Sequence, residues 1–199
     1  VLAAKHHSTL ERIVAGSMIN RMLRNPDCPL LVLKDSKHME PHTISCCLTL
    51  EEEFDQPVIE WVKKLGNIFN AHISLIHALE PNIAGYMEGD LQINAKKITT
   101  IEELYREEKK LANQKMENIA SELNRAGIKQ VKPVVLPDPD GVIHHRLVKD
   151  FEKTEPDLVI IGTHGRTGLK RVFYGSVAQR ILEDGQQNLL IIKNTDTKE

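Results

Sequence analysis

The stretch that most constrains this chain runs from Asp157 to Val177: Asp-Leu-Val-Ile-Ile-Gly-Thr-His-Gly-Arg-Thr-Gly-Leu-Lys-Arg-Val-Phe-Tyr-Gly-Ser-Val. Its apolar run, Leu158 to Ile161, is unbroken and stops at Gly162, as a strand buried on both faces would. A polar, glycine-rich loop follows and resolves at Gly175-Ser176. Val177, Ala178, Ile181 and Leu182 then fall at helical spacing, with Gly185 as the predicted C-terminal stop. Strand, glycine loop and helix start together predict an anion site. Backbone N–H groups are unpaired at a helix N-terminus, the helix dipole is positive there, and glycines let a phosphate reach the main chain. Ser176 adds a hydroxyl, and Arg166, Lys170 and Arg171 can add positive charge.

The spacing Gly162-x2-Gly165-x9-Gly175-Ser176, behind a buried strand, resembles the ATP-binding signature of the universal stress protein family. The resemblance covers residues 43–194. It implies an α/β, Rossmann-like fold: a five-stranded parallel sheet of order 3-2-1-4-5 with helices on both faces. It also implies an adenine nucleotide (ATP, AMP or ADP, with or without Mg2+) at the carboxyl ends of the first and fourth strands, where the winding reverses. By the same resemblance, the backbone of Ala78 meets the adenine. Ile161, Gly162, His164, Gly165, Arg166, Gly175, Ser176 and Val177 frame the ribose and phosphates. Thr49, within Leu48-Thr49-Leu50-Glu51, stands where nucleotide-binding members usually carry an Asp, so a charged partner is missing there. The Leu136-Pro137-Asp138 turn replaces a family glycine before the third crossover.

Taken in order, the complete unit begins near Thr43. Ile44 to Leu50 suits a first, central strand; Asp55 and Pro57 mark a helix start. Val58, Trp61, Val62, Leu65, Ile68 and Phe69 fall on one face of that helix. Ala71 to Leu79 reads as the second strand, and residues 80–99, without a clear period, as a mobile loop. Thr100-Ile-Glu-Glu103 is a capping-box spacing that opens a helix ending at Gly127. Val131 to Leu136 is a third strand whose Pro133 predicts an edge position. Val142 to Lys153 is a further amphipathic helix, and Leu189 to Lys193 the last strand. Strands alternating with helices require a parallel sheet with crossovers.

An internal repeat organises the remainder. Residues 13–34 repeat the plan of 172–193 without a gap: Gly16-Ser17 matches Gly175-Ser176, and Leu30 to Lys34 matches Leu189 to Lys193. In the earlier copy Ala3 replaces Gly162 and His6 replaces Gly165. Family members often occur as tandem copies, so residues 1–40 read as the C-terminal remnant of a first domain and 41–199 as a complete second one. A bare last strand leaves ladder groups unpaired, and family members pair these strands between copies. Leu30–Lys34 is therefore expected to pair with Leu189–Lys193, as an intramolecular pseudo-dimer or between two chains.

A net charge of −2 argues against a nucleic-acid surface, and residues 1–20 lack a run long enough for a signal peptide or membrane span. The chain is thus expected to be soluble and cytoplasmic, with no membrane partner. Cys28, Cys46 and Cys47 read as reduced thiols, since adjacent strand residues face opposite ways. Neither His6-His7 nor His144-His145, nor His42 near Cys46, has a metal-ligand spacing. His164 reads as shaping the loop, Trp61 as core, and no residue is assigned a catalytic role. The functional expectation is an ATP- or AMP-binding regulatory module in stress response, acting through dimerisation or partner binding. The alternatives are a scaffold of the same fold that binds no nucleotide, or a slow ATPase.

Overall fold

The computed structural model describes residues 2–3, 28–34, 40–80, 83, 87, 92–93, 96–97, 100–138, 141–163 and 176–193. Its elements are β1 (Leu2–Ala3), β2 (Leu30–Leu33), β3 (Thr43–Cys47), α1 (Glu52–Phe69), β4 (His72–Leu79), β5 (Gln92–Ile93) and β6 (Lys96–Lys97). They continue with α2 (Ile101–Arg125), β7 (Val131–Pro137), α3 (Ile143–Thr154), β8 (Leu158–Gly162), α4 (Ser176–Asp184) and β9 (Asn188–Ile192). One sheet has the order β1-β2-β9-β8-β3-β4-β7, and β5 pairs with β6 apart from it.

The segment β7-β4-β3-β8-β9 is parallel throughout and is the expected 3-2-1-4-5 order. Its strands are too apolar to face water, and two helical layers cover them. Ile44, Cys46, Ile73, Leu75 and Ile160 pack on Val58, Val62, Met116 and Leu123 of α1 and α2. Cys47, Ile76, Val159 and Ile161 pack on Leu147, Phe151, Ile181 and Leu182 of α3 and α4. Cys46 and Cys47 thus point to opposite layers, and both are buried and unbridged. Pro133 lies in β7, the outermost strand of the sheet on that side.

The sheet extends beyond these five strands, and the expected pairing of Leu30–Lys34 with Leu189–Lys193 is present. β2 adds to β9 antiparallel, with Leu30 opposite Ile191, Leu31 opposite Leu190 and Val32 opposite Leu189. It satisfies backbone groups that β9 would otherwise leave bare, and this pairing lies within one chain. β1 pairs parallel with β2, Leu2 to Val32 and Ala3 to Leu33. β8 and β9 pair in the same way, Ile161 to Ile191 and Gly162 to Ile192. The offset that aligns Gly16 with Gly175 carries the first register onto the second.

Lys34 secures this edge. Its backbone N–H donates to Asn188 Oδ1 at 2.8 Å. Its ammonium donates to the carbonyls of Leu182 at 2.5 Å, Gly185 at 2.6 Å and Ile181 at 3.5 Å. The Ile181 and Leu182 carbonyls lie in the last turn of α4 and Gly185 just past it, where the dipole is negative, so a cation from another element caps the helix end alongside the Gly185 N–H that bonds Ile181. Burial lowers the Lys34 pKa to about 8, against the opposing pull of Asp184.

Other local expectations shift. α1 begins at Glu52 with Glu51 as N-cap, and both Asp55 and Pro57 lie inside it. Ile68 is 70% exposed, off the buried stripe, and Trp61 is only partly buried, with Lys64 Nζ 5.4 Å from its ring centre. Gly185 stops α4 by close approach: a Cβ there would lie 2.6 Å from the Ile181 carbonyl oxygen. Thr100 caps α2 as expected, accepting from the Glu103 N–H at 3.1 Å.

Candidate functional site

The carboxyl ends of β3 and β8 lie side by side, Cys47 opposite Ile161, and the sheet's winding reverses between them. An open α/β sheet forms its crevice there, because the flanking crossovers leave in opposite directions. Ile161 is buried against the α3–α4 layer, Gly162 ends the strand, and the Thr163 N–H donates to the Ile192 carbonyl at 2.9 Å. Of the expected site residues, His164, Gly165, Arg166 and Gly175 lie outside the described residues. Ser176 is the first residue of α4, and Val177 packs beside the α3–α4 core. Ala78 lies near the end of β4, buried and in register with Leu136 of β7.

The β3–α1 connection is closed by a carboxylate that inspection of the sequence assigned to a helix start. Asp55 is 3% exposed. Its Oδ1 accepts from the Thr49 N–H at 2.8 Å and the Thr49 hydroxyl at 2.9 Å, and its Oδ2 accepts from the Leu50 N–H at 2.7 Å. Thr49 Oγ1 in turn accepts from the Glu51 N–H at 3.2 Å. The loop is tight enough to hold Leu50 at φ 66°, in the left-handed region. Lys115 of α2 donates to the Leu50 carbonyl at 3.2 Å. Burial raises the Asp55 pKa, opposed by the hydrogen bonds from Thr49 and Leu50. Thr49 therefore serves loop closure, with its hydroxyl committed to Asp55. The only signal for this was an Asp six residues after a Thr, a spacing with no fixed meaning.

Two more groups stand at this end of the sheet. Nδ1 of the buried His77 donates to the Leu48 carbonyl at 2.9 Å and ties β4 to the same loop. Asp138 follows β7, and its N–H donates to the Leu79 carbonyl at 3.2 Å. It is 4% exposed, and its Oδ2 is sealed from solvent without a hydrogen-bond partner. Lying between Pro137 and Pro139, it read only as part of a turn. His144 and His145 pack edge to face with ring centres 4.3 Å apart, and burial lowers the His144 pKa. Among the described residues, no group of three or more His, Cys, Asp or Glu side chains is placed to hold a metal ion. Among the same residues, no helix is long and apolar enough to cross a membrane.

Comparison with known proteins places this geometry. Residues 44–193 match the model of the universal stress protein family. Universal stress protein MJ0577 of Methanocaldococcus jannaschii is 35% identical over 86 residues, 43% of this chain and 51% of that protein. The matched segment thus spans about half the length of that relative. The solved structure of MJ0577 superposes with a TM-score of 0.62 at 24% identity, covering 79% of this chain and 99% of that one. A universal stress protein of Archaeoglobus fulgidus, solved in complex with dAMP, superposes at 0.52 and 14% identity, covering 78% of this chain and 100% of that one. At these identities the solved structures establish the fold. The family match spans the sheet from β3 to β9 and both helical layers, and this chain belongs to the universal stress protein family.

Proposed function

We propose that the chain is an adenine-nucleotide-binding regulatory module, taking ATP or AMP, whose occupancy alters its assembly or its contacts with a partner protein. One juxtaposition carries the reading. β3 and β8 end together at the reversal of winding, and Gly162 there feeds a glycine-rich segment into the first turn of α4 at Ser176. Helix N–H groups, the positive end of a dipole and small residues suit a phosphate. The Archaeoglobus relative solved with dAMP binds a ligand of the same class. The identical registers of β1–β2 and β8–β9 support reading residues 1–40 as a counterpart of this unit's own C-terminal part, paired within the chain as a pseudo-dimer.

The test is titration of purified protein with a fluorescent ATP analogue, with Gly175→Val as control. Saturable binding that Gly175→Val abolishes is the expected result. An equal, weak signal from both proteins rejects the reading in favour of a scaffold that binds no nucleotide. That second reading has its own observation: Thr49 supplies no charge, and its hydroxyl is engaged by Asp55. Phosphate release above buffer, lost in the same variant, would be required before a slow ATPase is considered.

A further inference from the structure

We infer that Asp138 is the residue that selects the base, its carboxylate accepting the exocyclic amine of a 6-aminopurine. This rests on the proposed nucleotide-binding reading.

The first support is position. Asp138 is the last residue held to β4 by the ladder, through its N–H to the Leu79 carbonyl. Leu136 and Asp138 are buried on either side of the exposed Pro137, so Asp138 shares a face with Leu136 and, by register, with Ala78. From β8, where the glycine segment begins, the sheet runs through β3 and β4 to β7. Three spacings of about 4.8 Å give roughly 14 Å, a span suited to a nucleotide lying base-to-phosphate across the strand ends. Phosphates at the start of α4 therefore place the base toward the ends of β4 and β7.

The second support is an unmet valence. Asp138 is 4% exposed, and Oδ2 is both shielded from solvent and without a donor. A buried carboxylate oxygen in that state destabilises the fold unless something supplies an N–H. The neighbouring carboxylate, Asp55, is fully engaged by three donors. Among the described residues Asp138 Oδ2 has no donor, and an acceptor-only group calls for one from a ligand. Adenine offers an amine at its 6-position; hypoxanthine offers a carbonyl, which the carboxylate repels.

The experiment compares AMP with IMP by isothermal titration calorimetry on the full chain, as wild type, Asp138→Asn and Asp138→Ala. Wild type is expected to prefer AMP by roughly tenfold to a hundredfold, the range for a hydrogen bond to a charged acceptor. In Asp138→Asn the ratio falls to near one, because an amide can turn to serve either edge, and Asp138→Ala also loses the preference. Without ligand, both variants unfold at or above the wild-type temperature, since an unpaired buried carboxylate has been removed. If wild type binds AMP but either lacks the preference or retains it in both variants, the assignment of Asp138 is overturned and the binding module stands. A clear fall in unfolding temperature in both ligand-free variants would make Asp138 structural and overturn it equally. If wild type binds neither nucleotide, the parent reading falls, and this inference with it.

Discussion

Cys46 and Cys47 are consecutive in β3 and face opposite helical layers, so neither sulfur can reach the other. Burial pushes both thiols well up, and for Cys46 the charges of Cys47 and Asp55 add to it. Nucleophilic attack needs the thiolate. At pH 8 the native chain should therefore react rapidly with a chromogenic disulfide reagent at Cys28 alone, the exposed thiol, and at all three cysteines once unfolded. Two or more fast-reacting thiols in the native chain would contradict this. Glycines give a second contrast. A Cβ on Gly185 would meet a backbone oxygen at 2.6 Å, whereas one on Gly66 would meet the end of the Ile128 side chain at 3.0 Å. Gly185→Ala should cost about 2–3 kcal/mol in urea denaturation. Gly66→Ala should fall within about 1 kcal/mol of wild type, because helix propensity offsets a contact that can move. At this scale the sequence disclosed what was missing, an acid at position 49. It did not disclose what had been gained: Asp55 and Asp138 acquire their meaning only when loop closure and strand ends bring donors to one and none to the other.

At the scale of elements, α4 depends on a residue far from it in sequence. The Lys34 pKa is lowered to about 8, below its ordinary value near 10.5. The unfolded chain therefore binds the extra proton between these values, and folding stability should rise as pH goes from about 8 to 10.5. The full cost of charge burial, about 3 kcal/mol from a shift of this size, is present below pH 8. Lys34→Met should flatten that slope in pH-dependent denaturation. Above pH 10.5, where that cost is gone, it should destabilise by about 1–2 kcal/mol, because the carbonyls of Leu182 and Gly185 lose their donor. At pH 7 relief of charge burial offsets that loss. A variant that kept the wild-type slope would remove Lys34 as its source. The lysine was visible as the end of a repeated strand, but its role was not, since a cap donated across the fold leaves no local pattern. The start of α1 was misplaced for a related reason. Asp55 and Pro57 look like first-turn residues, yet the Phe54 and Asp55 N–H groups already bond the Glu51 carbonyl, and the helix has begun.

For the whole molecule, strand order was recoverable from alternation and family likeness, because buried parallel strands write their environment into unbroken apolar runs. The two extra strands were less so. Repetition showed that Leu30–Lys34 resembles Leu189–Lys193, and only the folded chain shows the two lying antiparallel within one molecule. Deleting residues 1–40 should bare β9 along with Leu189 and Ile191, whose core includes Leu30 and Val32. Size-exclusion chromatography with light scattering should then detect dimers or larger species at concentrations where the full chain shows fewer. A well-behaved monomer after the deletion would count against the edge argument.

The join between β2 and β9 also has a geometric property. Leu31 meets its own repeat counterpart, Leu190, while Leu30 meets Ile191 and Val32 meets Leu189, so matching positions trade places across a local two-fold axis. That is the arrangement of an isologous contact between identical subunits, here written into one polypeptide. Between identical subunits every substitution is made twice, and each side must tolerate the other's change. Here the two halves are encoded separately, so either can diverge alone and the seam can become selective for its own tethered strand.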